Sequence, residues 1–179
     1  MTDDTWLRGD WMQTHTGRRF YPRDPRPEEV DPEDIAHALS LLCRYGGHVD
    51  RFYSVAEHCV LMSQAVAPDN AIYALLHDAT EAYVCDVPRP LKKQLDGYQE
   101  IEARVWFAVA MRFHVELTLP AEVHEADNRI LLNEREALFS RAEPWPSLDG
   151  LTPLPVTVTG WAPADAERHY LDRLEELMA

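Results

Sequence analysis

Residues 77–93 read HDATEAYVCDVPRPLKK, directly after the apolar run AIYALL at 71–76. His77 and Asp78 are thus neighbours at the end of an otherwise apolar helix. Adjacent helical side chains diverge by about 100°, so both reach one ion only if it lies beside the helix, in the sector between them. Glu81 follows Asp78 by three residues and His77 by four, which places it on their face. An imidazole and two carboxylates pointing one way are costly to bury without a cation. Taken alone, a His-Asp pair is more often a solvated helix end with an ordinary core histidine.

Working outward, two further segments carry the same kind of residue. YSVAEHCVLM (53–62) sets His58 among Val55, Cys59 and Met62, and VHEADNRILLNEREAL (123–138) sets Asp127 among Val123, Ile130 and Leu131. Two histidines and two aspartates on three helices make a mixed nitrogen and oxygen set. Such a set suits Mn, Co, Fe, Zn or Ni better than a purely oxygen site would.

The elements around these segments are helical. Residues 10–30 form an irregular or short-strand lead-in. Asp31-Pro32 opens a helix that Gly46-Gly47 stops. Ser54 with Glu57 makes a capping-box pattern for a second helix reaching about Ala67. Asp69 caps a third, which runs through Ala79 and fades near Val84. Pro88 and Pro90 predict an extended stretch. A fourth helix fits Tyr98 to about Phe113, and a fifth follows Pro120 through Leu138. Segment 143–163 holds five prolines and reads as a loop with a short strand at Val156 to Thr159. A last helix fits Pro163 to Met178. The expected fold class is all-α, a single domain over residues 1–179.

The chain has 179 residues, 46% hydrophobic and 27% charged, a globular composition. Its net charge of −14 argues against a nucleic-acid polymer as partner, which needs clustered Lys and Arg. It leaves room for a small phosphorylated substrate, because an ion and a few local bases can reverse the field in one pocket. No apolar run approaches the roughly 18 residues a membrane span needs. The acidic start, MTDDTWLRGDW, lacks the layout of a secretion signal. Both point to the cytoplasm. Cys43, Cys59 and Cys85 match no zinc ribbon and read as buried, reduced thiols.

The order His58, His77-Asp78, Asp127 resembles the H…HD…D signature of the HD-domain phosphohydrolases. SVAEH, LLHDATEAYVCDVPRPLK and EAD are similar to the small bacterial and phage subgroup that includes 5′-deoxynucleotidases and phage dATP triphosphohydrolases. The likeness runs from about residue 31 to 140, more loosely from residue 14. It implies a helical HD domain in which His58, His77, Asp78 and Asp127 hold one divalent ion (Mn, Co, Zn, Fe, Ni or Mg). Glu81 and Asp86 would serve catalysis, Arg44-Tyr45 would contact the substrate, and Lys92 matches the lysine after Pro-x-Pro. His48 is a further candidate for binding phosphate.

The implied reaction is hydrolysis of a deoxynucleotide phosphate ester by water that the ion activates. It would yield a deoxynucleoside with phosphate from a dNMP, or with triphosphate from a dNTP. The acidic balance favours the monophosphate. The resemblance also implies self-association, as a dimer or higher homo-oligomer. Two other readings are a nucleotide-binding sensor without turnover, and a di-iron oxygenase that would recruit extra histidines such as His114 and His124. His37 fits packing, or a partner of the ligands. Trp145 and Trp161 fit a base pocket or loop packing.

Overall fold

The structure, a computed structural model, describes residues 8–179. The acidic start read as lacking a secretion signal begins in residues 1–7, outside the described residues. The fold is all-α. A small antiparallel hairpin, β1 (Met12–Gln13) and β2 (Arg19–Phe20), precedes α1 (Pro32–Leu41), α2 (Val55–Ala65), α3 (Ala71–Leu76), α4 (Glu81–Val84), α5 (Arg89–Lys92), α6 (Tyr98–Phe113), α7 (Ala121–Leu138) and α8 (Pro163–Met178). None of the described helices is long and apolar enough to cross a membrane.

Helix α2 is the axis of the molecule. Every residue from Val55 to Ser63 is buried, and α1, α3, α7 and α8 pack around it. Val55, Ala56, Cys59 and Val60 face a core shared with α1, α3, α6 and α8. Leu61 and Met62 face a second core with Val123, Ala126 and Ile130 of α7. A helix buried all round must be apolar all round, so the buried polar side chains Glu57 and His58 in it need partners.

Glu57 finds them in the loop before α8. Its carboxylate accepts from the backbone N–H groups of Thr159, Gly160 and Trp161 and from the Thr159 hydroxyl, at 2.5–3.1 Å. The loop approaches so closely that a Cβ on Gly160, whose φ is +77°, would meet the Phe52 carbonyl oxygen at 2.7 Å. Removing the carboxylate orphans several donors, so Glu57→Ala is expected to cost roughly 2–4 kcal/mol. The check is a lower urea midpoint with an unchanged slope.

Several local expectations fail for physical reasons. Helix α1, capped by Asp31 as read, ends at Leu41. Cys43 then bridges to Ser54, and Arg44–Gly47 forms a 3-10 turn with Tyr45 and Gly46 in the left-handed region. Ser54 caps α2 by accepting from Glu57 N–H, but the Glu57 side chain serves the 159–161 loop and does not close a capping box. Asp69 lies inside a 3-10 turn, Pro68–Asn70, and does not cap α3. The stretch after Pro88 is a helical turn, because a proline at the first turn is compatible with helix. Val156 to Thr159 forms no strand: Asn133 on α7 takes up the carbonyls of Leu154 and Val156, leaving no ladder. Of the cysteines only Cys59 is buried; Cys43 is partly covered and Cys85 exposed, all three as free thiols.

Candidate metal centre

The expected continuous helix through Ala79 breaks between Leu76 and Glu81. There the backbone tightens to bonds spanning three residues: Ala79 N–H to Leu76, Glu81 N–H to Asp78, Tyr83 N–H to Thr80. This turn brings the two divergent neighbours together, with His77 Nε2 3.2 Å from Asp78 Oδ2.

His58 reaches the same point from α2 and Asp127 from α7. The two histidine rings face one another, Nε2 to Nε2 at 3.3 Å. His58 Nε2 also lies 3.7 Å from Asp78 Oδ2 and 3.5 Å from Asp127 Oδ1. His58, His77 and Asp127 offer ligand atoms all within 4.8 Å of one another. These four residues form a group that could hold a metal ion.

Donor chemistry supports that fit. His58 Nδ1–H donates to Glu134 Oε1 at 2.6 Å, and His77 Nδ1–H donates to the Ala74 carbonyl at 2.8 Å. With both Nδ1 atoms so engaged, each neutral ring has its lone pair on Nε2. Two lone pairs at 3.3 Å repel unless a cation lies between them, either a proton or a metal ion. Burial works against charge on His77, but the Asp78 carboxylate outweighs it and raises the imidazole well above its usual value. Burial likewise opposes ionisation of Asp78 and Asp127, yet the histidines hold both well below the carboxylate range.

Glu134 is the residue that sequence reading missed. It is fully buried and also accepts from the Tyr45 hydroxyl, with Arg44 Nε 3.5 Å away. Despite burial, Arg44 and His58 keep its carboxyl below the ordinary value. The available signal was spacing: Glu134 follows Asp127 by two helical turns, so it shares the ligand's face. Outer partners of metal-bound histidines are typically worth 10–100-fold in affinity. Glu134→Gln is therefore expected to weaken Mn2+ or Zn2+ binding by roughly that factor, read by competition with a chelating dye.

A cleft of about 600 Å³ opens beside the group. Arg44, Tyr45, Glu81, Asp86, Lys92 and Trp145 all line it. Arg44 is buried in its wall and donates to Asp78 at 3.3 Å. Lys92 is drawn to Glu102 at 2.5 Å, a pairing that raises its ammonium against the effect of burial. Arg89, on the rim, bonds Asp127 and Asn128. Glu81 is buried with Oε2 unpartnered. Burial first, then Asp78 and Asp86, push its carboxyl well above the usual range, against the pull of Arg44 and Lys92. Asp86 is raised too, mainly by burial.

His48 is not part of this cleft. The left-handed pair Tyr45-Gly46 reverses the chain, and His48 is exposed beyond it. Trp161 packs on His169 and both cores, away from the cleft. His37 bonds Glu167 on α8, away from the ligands. His114 is the left-handed C-cap of α6. His124 lines a second cleft of about 470 Å³, which touches the first at Asp78, Lys92 and Asp127.

No family model matches the chain. It is 35% identical over 169 residues to the uncharacterized protein YfdR of Escherichia coli strain K12, covering 93% of this chain and 95% of that protein. It is 37% identical over 130 residues to the uncharacterized protein RCAP_rcc00048 of Rhodobacter capsulatus, covering 67% and 66% respectively.

Proposed function

The chain belongs to the family of Escherichia coli YfdR, and for this member we propose metal-dependent hydrolysis of a deoxynucleotide phosphate ester, in an HD-type domain. The observation that carries the reading is the facing pair of Nε2 atoms at 3.3 Å, flanked by Asp78 and Asp127, which themselves line a cleft with Arg44, Arg89 and Lys92.

A divalent ion supplies, when bound, Lewis acidity toward a phosphoryl oxygen and acidifies water from a pKa of 15.7 toward about 7. The remaining roles fall to side chains. Arg44 is fixed in the wall and presents charge to the phosphoryl oxygens, whose negative charge spreads in the transition state. Lys92 joins it by exchanging Glu102 for phosphate. Water adds its oxygen to phosphorus and releases a proton to solvent, from which Glu81 is reprotonated after turnover; the bond from phosphorus to the ester oxygen breaks, and the departing alkoxide needs a proton. Glu81, buried and held protonated by its surroundings, supplies that proton. Asp86, less buried at the cleft wall and also raised by burial, is the second candidate for that proton donor.

Charge favours a monophosphate over a triphosphate. Arg44, Arg89 and Lys92 face Asp78, Glu81, Asp86 and Asp127 in this cleft. With Glu81 neutral, three carboxylates remain, and Glu134 beside Arg44 and Glu102 beside Lys92 add two more. A divalent ion only offsets this acidic surplus, which suits a phosphomonoester better than the larger charge of a triphosphate.

The test is a hydrolysis panel of dNMPs, NMPs and dNTPs, each with Mn2+, Co2+, Zn2+ or Mg2+, with products separated by ion exchange. Orthophosphate from dNMPs is the expected result. Intact triphosphate from a dNTP would keep the chemistry and overturn the monophosphate choice. No product from any substrate, with metal bound, would overturn hydrolysis and favour a nucleotide-binding sensor.

A further inference from the structure

A second group of metal-ligand side chains lies where the hairpin, α1 and α8 meet. His15 stacks on His37 with ring centroids 3.6 Å apart and planes within 14°. His37 Nδ1 lies 3.1 Å from Glu167 Oε2. Ligand atoms of all three are within 4.8 Å of one another. The three come from distant parts of the chain: the turn between β1 and β2, the middle of α1, and the first turns of α8.

The turn that carries His15 is fixed from below. Buried Asp34 on α1 accepts from Thr16 N–H at 2.7 Å and from the Thr16 hydroxyl at 3.0 Å. Thr14 N–H to Arg18 and Gly17 N–H to Thr14 close the turn. His15 is therefore held over His37 by contacts that do not involve its own ring. The stack sets the nitrogen donors of two imidazoles side by side at the surface end of α8. A carboxylate completes a nitrogen-rich donor set of borderline softness. Ligands around a tetrahedral ion with bonds of about 2.0–2.1 Å sit about 3.4 Å apart. The His37–Glu167 pair is already close to that spacing at 3.1 Å, and His15, exposed at the surface, would turn out of its stack on His37 to converge with them.

We propose that His15, His37 and Glu167 form a second divalent metal site, suited to Zn2+, which ties the hairpin and α1 to α8 and leaves one coordination position to water. This site is separate from the centre at His58 and does not depend on the proposed reaction.

Equilibrium dialysis of the full chain against Zn2+, with metal counted by mass spectrometry, tests it. The wild type is expected to hold about one more ion than His15→Ala or Glu167→Gln, the three-ligand count being broken in each. Asp78→Ala should leave that difference intact, so failure at one site is distinguishable from failure at the other. His15 is exposed, so its replacement does not threaten folding. The thermal midpoint should rise with Zn2+ in Asp78→Ala, and not when His15→Ala is added. Equal counts in the wild type, His15→Ala and Glu167→Gln would overturn the proposal.

Discussion

Replacing Asp78 with alanine is expected to remove metal binding and turnover together. Asp78 lies 3.2 Å from His77 Nε2 and 3.7 Å from His58 Nε2, and it is also the partner of buried Arg44. Its loss takes a charged ligand from the ion and leaves a buried guanidinium one partner short, so the wall that would hold phosphate relaxes as well. A metal contributes several kcal/mol of transition-state stabilisation, which corresponds to a fall in kcat/KM on the order of 10³-fold or more. Metal content and rate should be measured on one preparation. An Asp78→Ala protein with full metal and full rate would sink the assignment of the centre.

Glu81→Gln should separate what Asp78→Ala joins. Glutamine keeps the shape of a buried side chain whose carboxyl is already held neutral, so the fold and the ion stay. The proton for the leaving oxygen is lost. The expected result is a kcat lower by roughly 10²–10⁴-fold, with metal content and KM little changed. The pH profile carries an independent sign. A general acid works while protonated, so activity is present below the raised value of Glu81 and is lost as pH rises through it. The direction follows from burial, Asp78 and Asp86; a bound ion draws the limb toward lower pH by attracting the carboxylate form. In Glu81→Gln that limb should vanish. An unchanged alkaline limb in the variant would assign it to another group, with Asp86 next in line.

Long amphipathic or capped elements were legible in the sequence. Asp31-Pro32, Ser54, the run from Tyr98 to Phe113, and α8 from Pro163 all start or stop where local chemistry says they should. The convergence of His58, His77, Asp78 and Asp127 was legible too, because each is a ligand type on a largely apolar face. What escaped depends on tertiary contact. The tightened turn at 77–80 has no proline or glycine to announce it, and its residues are ordinary helix formers. Glu134 looks like one of many acids on α7 until His58 and Tyr45 arrive from elsewhere in the chain. Glu57 fits a local cap as well as it fits a loop about a hundred residues away. His48 was a candidate for binding phosphate from its turn between Gly47 and Val49, and the left-handed Tyr45-Gly46 pair sets it in an exposed position outside the cleft lining.

The proline-rich segment is pinned unevenly. Arg129 and Asn133 on α7 hold residues 152–156, and Glu57 holds 159–161. Between Leu138 and these anchors, Trp145 reaches the cleft wall by resting on Tyr45 and Phe139, ring against ring. The four ligand residues sit on α2, α7 and the turn joining α3 to α4, and Glu81 opens α4, so that contact reaches them only through Tyr45 and its bond to Glu134. The molecule is thereby divided into a well-anchored chassis and a panel held by fewer contacts. Resizing residues 143–149, or replacing Trp145, alters what the cleft admits while leaving the ligand carboxylates in place. For laboratory evolution, this short panel is the region in which selectivity can be varied at the smallest risk to the chemistry.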